Sequence, residues 1–181
     1  MALSPDDAIA ALKAIEHTAG RATQARSYGH TSPHFIIWGL VTLICYGLAD
    51  VLSASQGGMV WAVGSLTGLV ASVVAGRCTG KGAEGGRYLA SFLALAGFVV
   101  ATGVILPPGT SEAGSAFISL VVATAYLLMG IWRGGRILVT GLVLGALTVG
   151  GYLMIHRHFD LYMGVVTGGA LILAGFWLRR V

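Results

Sequence analysis

The stretch RILVTGLVLGALTVGGYLMIHRHFD, Arg136 to Asp160, decides the class of fold. Nineteen residues without a charge separate Arg136 from His156. At about 1.5 Å of rise per helical residue, such a run crosses a hydrocarbon core of about 30 Å. It stops at His156-Arg157-His158-Phe159-Asp160, and the next apolar run begins at once with Leu161. So short a connection makes the two segments antiparallel neighbours.

Reading outward, the same pattern recurs. Apolar segments cover His34–Ser53, Met59–Gly76, Tyr88–Leu106, Gly114–Trp132, Ile137–Ile155 and Leu161–Leu178. Short, turn-rich pieces join them: SASQGG, RCTGKGAEGG, PPGTSEAG and RGG. In lipid each segment must satisfy its own backbone, so all six are expected to be helices. The expected fold is all-α: a polytopic bundle of six transmembrane helices in three antiparallel hairpins over residues 34–181.

Composition agrees. The chain is 56% hydrophobic and 10% charged over 181 residues, whereas a soluble domain carries about 25% charged residues. The net charge of +4 does not imply a nucleic-acid partner, because the basic residues punctuate apolar segments and form no soluble face. Membrane lipid is the expected surrounding. Cys45 lies in an apolar run and Cys78 in a basic loop, so neither a disulfide nor thiol redox chemistry is expected.

Of the 11 Lys and Arg, ten fall on one side if the segments alternate: Lys13, Arg21, Arg26, Arg77, Lys81, Arg87, Arg133, Arg136, Arg179 and Arg180. Arg157 alone falls on the other, with Asp50, Glu112 and Asp160. Positive charge in short loops stays cytoplasmic, so both termini are expected in the cytoplasm. Trp38, Trp132 and Trp177 then sit near the inner interface, and Trp61, Tyr152 and Tyr162 near the outer one.

Residues 1–33 read differently. Ser4-Pro5-Asp6-Asp7 is a cap, a first-turn proline and two acids. Ala8, Leu12, Ile15, Ala19 and Ala22 then follow on one helical stripe. The expectation is a short cytoplasmic amphipathic helix ending near Tyr28-Gly29. A new start at Ser32-Pro33, again a cap and a proline, would open the first membrane helix. The stripe is expected to pack on a neighbouring loop, on a second subunit or on a soluble protein partner.

LLMGIWRGGR in the fourth segment and LILAGFWLRR in the sixth align Gly130 and Trp132 with Gly175 and Trp177. The last two hairpins therefore read as copies of one two-helix unit, or as two apolar hairpins with basic inner ends. With SPHFIIWGL and GGALILAGFWLRR at its two ends, the membrane part resembles uncharacterised small six-helix membrane proteins of bacteria. In layout alone it is similar to the HdeD-type acid-resistance membrane proteins, which string two-helix repeats together. The resemblance implies a bacterial inner membrane location and brings no activity or site residue.

Signatures of catalysis are missing from the sequence: no H-E-x-x-H, no G-x-S-x-G, no phosphate loop and no ionisable residue near a segment's middle. No cofactor is expected, since all five histidines lie outside the segments or at their edges. His156 and His158 stand two apart, which on a helix turns them about 200° from each other. They are expected to belong to an interfacial turn in which Asp160 caps the sixth helix, not to hold a metal. Gly64 with Gly68, Gly141 with Gly145, and Gly164 with Gly168 suit close helix packing, within one bundle or between copies in a homo-oligomer. Thr42, Tyr46, Thr124 and Tyr126 are the polar residues placed to line an uncharged pathway. The functional expectation is a non-enzymatic membrane protein acting through protein–protein contact, as regulator, sensor or assembly factor. The alternative is a facilitator or channel for a small neutral or hydrophobic solute.

Overall fold

A computed structural model describes residues 5–78, 82–155 and 157–180. Lys81 and His156 lie outside the described residues. Those described are all-helical apart from short turns. In chain order the elements are α1 (Pro5–Ala49), α2 (Ala54–Cys78), α3 (Gly82–Ile105), α4 (Ser111–Arg133) and α5 (Gly135–Met154), then α6 (Phe159–Met163), a π-helical turn (Gly164–Gly168) and α7 (Gly169–Arg179). The last three form one rod, Phe159–Arg179.

Five stretches are long and apolar enough to cross a membrane: Tyr28–Ala49, Ser55–Arg77, Ser111–Arg133, Gly135–Met154 and Phe159–Arg179. In α3 the apolar stretch Leu89–Ile105 is shorter. The chain is a multi-pass helical membrane protein.

The expected break between a short N-terminal helix and the first membrane helix is not there. α1 runs unbroken through Gly29 and past Pro33. Proline in a helix removes one backbone donor and costs about 3 kcal/mol or more in water. Membrane helices tolerate it where tertiary partners restore the lost bonding. Here Ser32, expected as a cap, is fully buried, and its hydroxyl donates to the Gly175 carbonyl at 2.7 Å on α7. Arg179 Nε donates in turn to Ser32 Oγ at 2.9 Å. A tertiary contact has replaced the cap.

Helix pairing also departs from three sequential hairpins. α4 packs most extensively on α5, and α1 on the last rod and on α2. α3 touches α2 lightly and reaches its other neighbours through Phe92 on Trp38 and Phe98 on Phe117. Glycine decides which pairs close up, because lipid gives apolar helices no hydrophobic reason to associate and close packing must do it. A Cβ added at Gly168 would lie 2.8 Å from the Gly39 carbonyl oxygen of α1, and one at Gly141 would lie 2.7 Å from the Leu127 nitrogen of α4. Gly130 of α4 abuts Leu138 of α5, whereas Gly175, its counterpart in the repeat, abuts Ile36 and Ser32 of α1. The aligned glycines thus serve different partners.

Candidate functional site

Three assemblies, each including residues of α1, are candidates for a site. The first lies at the end where α1 leaves the bundle. Tyr28, Phe35, Ile137, Leu171, Ala174 and Leu178 form a buried cluster, joined by Trp38, Tyr126 and Met129. Arg136 closes it. One guanidinium nitrogen donates to the Trp177 carbonyl at 2.8 Å and to that of Arg180 at 3.3 Å. The same group stacks over the Tyr28 and Trp177 rings at 5.7 and 5.2 Å. The Trp177 carbonyl, which also accepts the Arg180 N–H at 3.2 Å, and the Arg180 carbonyl thereby gain a cationic donor at a helix C-terminus, which suits the helix dipole. With the Ser32–Gly175–Arg179 contacts, this clamp fixes the direction in which α1 departs.

The second assembly lies at the opposite end. Tyr46 is buried; its hydroxyl donates to the Ser115 carbonyl at 3.0 Å, and Ser119 Oγ lies 2.9 Å from the same oxygen. Trp61 of α2 packs edge-on to the Tyr46 ring at 4.7 Å. Ser115 Oγ donates to Asp160 Oδ1 at 2.6 Å. Asp160 therefore joins α6 to α4 and is not the expected cap. His158 occupies the cap position with φ 56° and makes no side-chain capping bond. Its Nδ1 lies 2.8 Å from Asp50 Oδ2 at the end of α1. Three carboxylates, Asp50, Asp160 and Glu112, gather near this end, yet no group of three metal-ligating side chains forms among the described residues. The sequence carried a signal for this assembly, Asp50 and Asp160 at two segment ends, but nothing in it named Ser115 as the partner.

The third assembly is the part of α1 beyond the clamp. It carries Leu12, Ile15 and Ala22 exposed, with Lys13 and Glu16 also exposed on other faces.

The residues expected to line a pathway do not converge. Thr42 and Thr124 return their hydroxyls to the carbonyls of Trp38 and Leu120 on their own helices, and Thr124 faces outward. Tyr46 belongs to the second assembly and Tyr126 to the first, where it stacks on Phe35 at 4.6 Å. The six glycines sit between helices of this chain. Gly64 and Gly68 face Cys45, Val41 and Trp38 of α1; Gly141 and Gly145 face α4; Gly164 and Gly168 face Leu43, Tyr46 and Gly39 of α1. The π turn was not expected from sequence. It brings Gly164 and Gly168 onto α1 and leaves the buried Thr167 hydroxyl without a partner among the described residues.

The chain was compared with family models, with curated proteins and with solved structures, and it matches none of them. Its class rests on its own architecture: a multi-pass membrane bundle whose first helix extends well past the span.

Proposed function

We propose that this protein is a non-enzymatic, contact-forming component of a bacterial inner membrane, crossing it six times with both termini in the cytoplasm. It presents the N-terminal part of α1 to other proteins as a regulator, sensor or assembly factor. One observation carries the reading. α1 is a single helix of 45 residues, of which Tyr28–Ala49 suffices to cross the membrane. The remainder, residues 5–27, projects by roughly 35 Å at about 1.5 Å per residue. Its apolar Leu12 and Ile15 are exposed, while the clamp at its base holds it in one direction. A rigid arm with uncovered apolar side chains suits a contact made outside the bilayer. The orientation is supported by the ten-to-one distribution of Lys and Arg. A solute pathway has less support, since Thr42 and Thr124 are spent on their own helices.

Removal of residues 1–26 should abolish co-purification of partners from membranes cross-linked in the cell while leaving the bundle folded. Co-purification unchanged by the truncation would refute the reading. For the topology, single cysteines at Ser55, Ser111 and Arg157 should react with an impermeant maleimide from the outer side. Reaction only from the cytoplasmic side would reverse it.

A further inference from the structure

We infer that the first partner of α1 is α1 of a second copy, paired in parallel along one face that runs from the cytoplasm through the bilayer. The inference rests on the contact reading above and names the partner. At about 100° per residue, Leu12, Ile15, Ala22, Leu40, Ile44 and Leu48 fall within an arc of about 80° on α1. The large ones are 60, 65, 47, 57 and 42% exposed, in that order, and Ala22 is exposed as well. The other sides of the helix are taken: Val41 and Cys45 face α2, while Ser32, Gly39, Leu43 and Tyr46 face the last rod and its surroundings.

Lipid accounts for an apolar face at Leu40, Ile44 and Leu48. It does not account for the same face continuing into water at Leu12 and Ile15. An occupant that covers both halves must itself cross the membrane and extend beyond it in the same direction. A second α1 does so by construction.

Spacing and area agree. Ile15 and Leu48 are three 11-residue periods apart, and Ala22 and Ile44 two; at about 20° of drift per period, this spacing suits two helices wound gently right-handed about each other. From Leu12 to Leu48 is roughly 54 Å; with a helix about 10 Å wide the strip is roughly 540 Å² per partner, close to 1,100 Å² in total. That passes the roughly 1,000 Å² needed for a specific interface, whereas the stretch from Ala8 to Ala22 alone supplies less than half of it. Charges mostly avoid the face. Lys13 lies about 140° from its centre. By register Arg26 falls within the arc. Gly64, Gly68, Gly141, Gly145, Gly164 and Gly168 already face neighbours within one chain, whereas the α1 face continues outside the bilayer.

The test is disulfide trapping in native membranes, with the full chain in a Cys45→Ala, Cys78→Ser background. Leu12→Cys, Ile15→Cys and Ile44→Cys should each form a dimer at twice the monomer mass on oxidation, and Lys13→Cys should form far less. Subunit counting by single-molecule photobleaching of the unmutated sequence, tagged at its C-terminus, should give two steps and guards against a misfolded variant. Monomer only in both measurements overturns the inference. Equal trapping at Lys13 and Leu12 overturns it too, because the face would then be unspecific. If Leu12→Cys traps a different protein and not its own copy, the second-copy partner is wrong while the contact reading survives. If it traps nothing and the truncation also changes nothing, both are wrong.

Discussion

Gly168 and Gly169 are adjacent glycines, and replacing each by alanine should move stability in opposite directions. At Gly168 the new methyl would lie 2.8 Å from the Gly39 carbonyl oxygen, 2.8 Å from Leu43 Cβ and 3.0 Å from the Leu43 nitrogen. Ordinary contact begins near 3.4 Å, so the shortfall is 3.4 − 2.8 = 0.6 Å. Two of the three neighbours are backbone atoms of α1 and cannot rotate aside. Either α1 and the last rod separate, or the rod turns; overpacking of this kind costs about 1–3 kcal/mol. At Gly169 an added Cβ meets nothing within 4 Å, and alanine gains up to about 1 kcal/mol of helix propensity over glycine. Unfolding with sodium dodecyl sulfate in mixed micelles, followed by tryptophan fluorescence, compares the two. Gly168→Ala should shift the equilibrium toward the unfolded state by about five- to 150-fold at about 1.4 kcal/mol per decade, and Gly169→Ala should leave it unchanged or shift it toward the folded state. Equal behaviour of the two variants would refute the close approach of α1 and the last rod, and with it the pairing on which the bundle is built.

Three further outcomes follow from the two clusters. Tyr46→Phe strips a buried hydroxyl from the Ser115 carbonyl and from Ser119 Oγ and should cost about 1–3 kcal/mol in the same micelle assay; a neutral result would mean that the Tyr46 assembly is not closed. Arg136→Gln should speed amide exchange at Trp177 to Arg180, whose carbonyls it bonds, while exchange in the middle of α4 stays slow; unchanged exchange at that C-terminus would remove the clamp. His158→Gly should be more stable than His158→Ala, since both lose the Asp50 contact but only alanine keeps a side chain at φ 56°, a difference of about 1–2 kcal/mol; the reverse order would contradict the left-handed backbone.

The sequence by itself determined the membrane class, the approximate limits of the apolar segments and the asymmetry of charge. Each of these is a sum over local properties: hydropathy across a bilayer's thickness, and Lys and Arg at segment ends. Tertiary structure decided what depends on a partner. Ser32-Pro33 has the local chemistry of a helix start, yet Gly175 and Arg179, more than 140 residues away, hold Ser32 inside a continuous helix. Asp160 has the chemistry of a cap but finds Ser115. The glycine spacings announced close packing without naming the facing helix, because a missing side chain is compatible with any backbone that comes near enough. Nor could spacing reveal that the stripe on residues 8–22 and the lipid-facing side of Tyr28–Ala49 are one face, since that follows only once α1 is known to pass Pro33 without a break.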